Sequence, residues 1–223
     1  MCYKYLNVNT TIHINIMSSS EEDFVIANIS DSRKHGVLNL ITGPMFSGKT
    51  STLIRICEFL LKLDVKFEVY KHSDDVRNDK PDTIHSHNNE VYLCKPSYNL
   101  CDFLETDDYK DAQVIIIEEI QFFDENIITF LDFALNRDKK LIFAAGLNST
   151  FEMKQFPHMG QIMAMCDKID HLNANCYFCE STNAPFTVKI SGTNIEKEVG
   201  GSDMYKACCR LHYNEEIIKF RKW

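Results

Sequence analysis

No stretch of these 223 residues approaches the roughly 20 consecutive apolar residues that cross a bilayer, so no transmembrane helix is expected. The opening MCYKYLNVNTTIHINIM also lacks the charged flank, apolar run and small-residue cleavage site of a secretory signal, which makes the cytoplasm the expected compartment. Positive charge is scarce: 24 Lys and Arg stand against 32 Asp and Glu, a net charge of −8. Phosphate-backbone binding rests on a basic field, so nucleic acid is not an expected partner. A small phosphorylated ligand stays in play, because a few backbone N–H groups beside one lysine hold a nucleotide even in an acidic chain. No sequence period repeats, which sets aside a solenoid or propeller.

What is present reads as a folded chain, 44% apolar and 25% charged. Residues 1–35 carry scattered polar residues and the run Ser18-Ser19-Ser20-Glu21-Glu22-Asp23, and are expected to be a mobile extension. From Val37 onward short apolar runs alternate with helical spacing. VLNLIT (37–42), KFEVYKH (66–72), QVIIIEEI (113–120) and KLIFAAGL (140–147) read as strands. Leu53, Ile56, Cys57, Leu60 and Leu61 share one helical face, as do Ile127, Phe130, Leu131, Ala134 and Leu135. Strands joined by helical crossovers predict an α/β fold with a parallel sheet flanked by helices over 36–171. Residues 172–213 hold paired cysteines and no long apolar run, and predict a small second unit in need of a staple. Residues 214–223 are left as a tail.

Three constellations carry chemistry. Gly43-Pro44-Met45-Phe46-Ser47-Gly48-Lys49-Thr50 fits G-x-x-x-x-G-K-[ST] between an expected strand and an expected helix. Its glycines let successive N–H groups face one anion, Lys49 adds a full charge, and Thr50 offers a hydroxyl to Mg²⁺. Ile115-Ile116-Ile117 then ends in Glu118 and Glu119: one acid suits the Mg²⁺ shell and the other a proton acceptor or water-positioning group. Finally, Cys176-x-x-Cys179 and Cys209-x-x-His212 offer three thiolates and an imidazole, the donor set of a closed structural Zn²⁺ site. Cys208 is a competing neighbour of Cys209. Nine cysteines, an odd number, suit metal ligation better than a disulfide framework in a reducing compartment. By pattern alone Asp75 and Arg77 read as a solvated loop, and Phe151 and Phe156 as core or ligand-binding.

The ordered motifs GPMFSGKT (43–50), IEEIQFF (117–123), GLNSTFEMKQF (146–156), CYFCESTNAPFTVK (176–189), VGGSDMY (199–205) and CRLHY (209–213) together resemble the type II, cytosolic-type thymidine kinase family. The resemblance runs from about Val37 to Tyr213. It implies a P-loop NTPase-like sheet domain with a small zinc-stapled domain that carries a lasso loop. It also implies transfer of the ATP γ-phosphoryl to the 5′-hydroxyl of thymidine with Mg²⁺, in nucleotide salvage. By position, Gly43 to Thr50 would hold the ATP phosphates. Asp75 and Arg77 match a family D-x-R beside them, Glu118 and Gln121 would join them in binding the cofactor, and Glu119 stands in the place of the general base. Catalysis would fall to Glu119, Lys49 and Arg77. Phe151 and Tyr205 would contact the thymine base and Glu196, Lys197, Glu198, Val199 and Gly200 would form the lasso. Met45, Phe122, Leu147, Phe156 and Thr187 would wall the pocket. A homotetramer is implied too. The family's strand usually ends Asp-Glu-[Gly/Ala]-Gln, whereas this one reads Glu118-Glu119-Ile120-Gln121, so the acid expected beside the metal is one methylene longer. Two rival readings stand beside this one: a kinase of the same fold with another deoxynucleoside as substrate, and a nucleotide-binding regulatory protein. The lack of an Asn-Lys-x-Asp guanine-reading motif weighs against the second.

Overall fold

The computed structural model describes residues 17–32, 34–75, 81–86, 90–179, 181–192 and 200–218. Six strands form one sheet: β1 (Val37–Gly43), β2 (Phe67–His72), β5 (Lys95–Ser97), β6 (Val114–Glu118), β7 (Leu141–Leu147) and β8 (Lys168–His171). The order is β5-β2-β6-β7-β1-β8 and every pairing is parallel. A short antiparallel pair, β3 (Thr83–His85) and β4 (Val91–Leu93), lies between β2 and β5 in sequence.

Period-two alternation divides the apolar strands between two cores. On β6, Val114 and Ile116 join the cluster under α2 (Lys49–Lys62), where Leu53, Ile56, Cys57 and Leu60 are buried. Ile115 and Ile117 face the other way. There they pack with α3 (Asp107–Asp111), α4 (Asn126–Asp132) and α5 (Met159–Met165) through Tyr109, Ile127, Phe130, Leu131 and Ile162. A wider π turn, Phe133–Arg137, follows α4 and keeps Ala134 and Leu135 buried, so all five residues of the expected face reach the core.

The expected extension is corrected in part. Residues 1–16 lie outside the described residues, but Ser19–Ser32 form a helix, α1, on the α2 side of the sheet. Its start carries a reciprocal cap. The Ser18 N–H donates to Glu21 Oε2 at 2.8 Å, and the Glu21 N–H to Ser18 Oγ at 3.4 Å. Val25 is buried, and Phe24 meets Phe143 edge-on with ring centroids 6.5 Å apart. What read as a polar run is a helix start.

The last part of the chain pairs β9 (Phe186–Lys189) antiparallel with β10 (Tyr205–Cys208), followed by α6 (Arg210–Ile217). Its core of Ala184, Val188, Ala207 and Tyr213 is continuous with Met45 and Phe151 of the sheet domain. In a parallel sheet the chain leaves every strand at the same edge, so the loops after β1, β6 and β7 gather there, beside this second unit.

Candidate active site

The turn from β1 into α2 places residues 43–50 at that edge. A Cβ on Gly43 would stand 2.3 Å from the Leu172 carbonyl oxygen, so this position has no room for a side chain. Gly48, at φ 87°, takes the left-handed backbone that leads into α2. Lys49 is buried, and its Nζ donates to the Pro44 carbonyl at 2.7 Å, folding the lysine back over its own loop. Met45 to Ser51, with Ser86, Glu119 and Leu147, line one cleft of about 140 Å³.

Both acids of β6 arrive at this edge. Glu118 is buried, and Thr50 Oγ1 donates to its Oε1 at 2.5 Å, so the longer acid spans the gap between the sheet and the start of α2. Glu119 follows at φ 53°, a left-handed turn rare outside glycine, which re-aims its side chain as the strand ends. Gln121 Nε2 donates to Glu119 Oε2 at 2.5 Å, while Gln121 Oε1 accepts from the Leu147 N–H at 3.0 Å.

The aromatic residues singled out in the sequence converge on the seam with the second unit. Phe151 and Tyr205 are buried with ring centroids 6.4 Å apart, in one cluster with Met45 and with Leu147 packed against it. The Met45 N–H donates to Thr187 Oγ1 at 2.9 Å, tying the phosphate loop to β9. Phe122 meets Phe156 edge-on at 6.2 Å on the other side of Leu147. Asp75 is buried just beyond β2, its carbonyl accepting from Lys71 Nζ at 3.2 Å. Arg77 and the stretch Glu196–Val199 lie outside the described residues; Gly200, at the end of that stretch, is half-buried.

Cys176, Cys179, Cys209 and His212 bring their ligand atoms within 4.8 Å of one another. Cys179 Sγ stands 4.0 Å from Cys209 Sγ, and His212 Nδ1 stands 3.2 Å from Cys209 Sγ and 3.5 Å from Cys176 Sγ. Thiolate bonds of about 2.3 Å around a tetrahedral ion put sulfurs roughly 3.8 Å apart, so this cluster fits zinc. Burial pushes the Cys176 thiol up, but hydrogen bonds from the amides of Cys209, Phe178 and Cys179 outweigh it and hold it at about 6, favouring the thiolate a metal needs. Cys208 points the other way. It is buried in the apolar cluster, where burial pushes its thiol up to about 12.

The thymidine kinase family model matches residues 36–213. The chain belongs to that family. It is 36% identical over 186 residues to the thymidine kinase of Choristoneura fumiferana entomopoxvirus, covering 80% of this chain and 96% of the relative. The thymidine kinase of rabbit fibroma virus (strain Kasza) is also 36% identical, over 179 residues, with 80% and 96% covered. That of Mesomycoplasma hyopneumoniae (strain 7448) is 33% identical over 177 residues, with 78% and 94% covered. Among solved structures, domain III of the Thermotoga maritima replication initiation protein DnaA matches with a TM-score of 0.39 and 15% identity, over 70% of this chain and 64% of that one, a likeness too slight to bear on chemistry.

Within this thymidine kinase fold, sequence reasoning missed Ser86 and Lys189. Ser86 reaches the cleft from the loop after β3, and its Oγ donates to Glu90 Oε2 at 2.7 Å. The stretch Ile84-His85-Ser86-His87 has no periodicity or motif that would single it out. Lys189 is fully buried, with its Nζ 5.3 Å from the centre of the Phe151 ring and 5.6 Å from that of Tyr205. A lysine that closes an alternating strand, FTVK, is the signal that could have marked it.

Proposed function

We propose that this protein transfers the γ-phosphoryl group of ATP to the 5′-hydroxyl of thymidine, giving thymidine monophosphate and ADP, as a step in salvage of DNA precursors. One observation carries the reading: Glu119 shares a single cleft with the phosphate loop, and two residues that line that cleft, Met45 and Leu147, pack with the buried Phe151 and Tyr205.

In this reading residues Gly43 to Thr50 hold the ATP phosphates, chiefly through backbone N–H groups at the start of α2, and Lys49 exchanges the Pro44 carbonyl for phosphate oxygens. The donor set of one hydroxyl and one carboxylate at Thr50 and Glu118 fits a hard, oxygen-seeking cation. Mg²⁺ held there would neutralise charge developing on the phosphate oxygens. Asp75 and Arg77 flank the phosphates. Glu119 accepts the proton of the 5′-hydroxyl as its oxygen attacks phosphorus and the ADP oxygen leaves. The thymine base lies among Met45, Phe122, Leu147, Phe151, Phe156, Thr187 and Tyr205, and residues 196–200 bind it through backbone amides and carbonyls. Zinc at Cys176, Cys179, Cys209 and His212 is structural, since four protein ligands leave no open position. The working form is a cytoplasmic homotetramer.

The test is initial-rate ADP release from Mg-ATP with thymidine, deoxyuridine, deoxycytidine and deoxyguanosine in turn. Turnover confined to thymidine and deoxyuridine is the expected result. Turnover with deoxycytidine or deoxyguanosine would reassign the substrate, and ATP binding without any turnover would overturn the kinase reading.

A further inference from the structure

Gln121 is buried and is not among the described residues that line the cleft, yet its side chain joins two residues that do. The orientation of its amide follows from its partners. The Leu147 backbone N–H can only donate, so the atom it meets at 3.0 Å is the carbonyl oxygen, Oε1. The NH₂ group is thereby turned to the Glu119 side chain and donates to its Oε2, 2.5 Å away. The slot for the amide exists because residue 146 is glycine: a Cβ there would stand 2.7 Å from Gln121 Oε1 and 2.9 Å from Ile120 Cγ2. The short 3₁₀ turn Ile120–Phe122, entered from Glu119 at φ 53°, folds the side chain of Gln121 back over that of Glu119.

We propose that Gln121 is a positioning residue that fixes the Glu119 carboxylate to the β7 backbone, aiming its other oxygen at the cleft, and that it has no direct contact with phosphate or metal. The proposal rests on the reading of Glu119 as the proton acceptor. A carboxylate on a free side chain sweeps through several rotamers. One oxygen tied to a strand amide through a buried side chain that is hydrogen-bonded at both its amide atoms restricts where the second can lie, and a misplacement of about 1 Å at a reacting group costs on the order of a hundredfold in rate.

The test is a cycle of variants on the full-length, zinc-loaded protein, with kcat and both KM values measured under saturating Mg²⁺. Gln121→Met, of similar size without donor or acceptor, is expected to lower kcat by about 10- to 100-fold with KM for ATP and thymidine within about threefold. Gln121→Glu keeps an acceptor for the Leu147 N–H and loses the donor, and is expected to lower kcat at least as far. In a Glu119→Gln background, Gln121→Met is expected to cost less than about twofold more, because a group that acts only through Glu119 has nothing left to position. An equal loss in both backgrounds would make Gln121 a structural residue. A loss concentrated in KM for ATP would make it a phosphate contact, and near wild-type kcat in Gln121→Glu would remove the need for its donor; each overturns the proposal. If Glu119→Gln itself retains kcat, the proton-acceptor reading fails and takes this proposal with it. A Glu119→Gln loss without a Gln121→Met loss overturns the positioning role alone.

Discussion

Thr50 and Glu118 meet across 2.5 Å, joining the first turn of α2 to the last residue of β6. The extra methylene of Glu118 therefore does not leave the acid short of the phosphate loop. Glu118→Gln keeps the shape and the acceptor but removes the charge. The expected result is a Mg²⁺ requirement raised by about 10- to 100-fold at unchanged thermal stability. Steady-state rates across a Mg²⁺ titration check this, and an unchanged titration would take Glu118 out of the cation's surroundings.

Cys208 and Cys209 are adjacent in sequence and opposite in environment. Cys209→Ser should lose bound zinc and, with it, the order of the region that holds β9, β10 and α6, since such sites contribute about 10–16 kcal/mol in peptide models. Cys208→Ala should keep about one zinc per chain and lose only about 1 kcal/mol through lost packing. Metal analysis with thermal unfolding separates the two. Zinc lost from Cys208→Ala would reverse the ligand assignment.

His72 ends β2 beside the Phe123 and Tyr98 rings, 4.9 and 5.4 Å away, and its Nδ1 accepts from the Asp74 N–H at 3.2 Å. Burial lowers its pKa from the ordinary 6.5, outweighing the opposing pull of Asp74, Asp124 and Asp75. As pH falls below 6.5 the unfolded chain takes up this proton before the folded one does, so stability is lost with acidification and is fully present above that pH. Urea unfolding at about pH 5.5 and 7.5 should show the loss, and it should shrink in His72→Phe. An identical pH dependence in the variant would remove His72 as its source.

Val25 on α1 is 1% exposed while its neighbour Ile26 is 48% exposed. Val25→Ala should cost about 1–2.5 kcal/mol and Ile26→Ala close to nothing. Equal and negligible effects in chemical denaturation would return this segment to the status of a loose extension.

Much of the frame was legible because it rests on local signals. The apolar runs of β1, β2, β6 and β7, the helical faces of α2 and α4, the phosphate loop and the Cys₃His cluster each announce themselves through spacing or residue type. The three-residue β5 and the polar β8 (KIDH) escaped notice because they join the sheet through backbone pairing at its two edges and carry little apolar pattern. α1 escaped because its apolar residues are few, although Ser18 and Glu21, three apart, are the spelling of a cap.

By itself, then, the sequence determined the chemistry on offer: a phosphate loop, two adjacent carboxylates, a set of aromatic residues and a Cys₃His donor set. The tertiary structure decided how those groups divide the work. Cys209 rather than Cys208 turns toward Cys176 and Cys179, and Glu118 is paired with Thr50 while Glu119 is turned away to Gln121 and the cleft. Adjacent side chains on a strand point to opposite faces, and a left-handed residue at the strand's end changes the aim again. Which neighbour meets which partner depends on the elements packed around them, and those are brought together only by the folded chain.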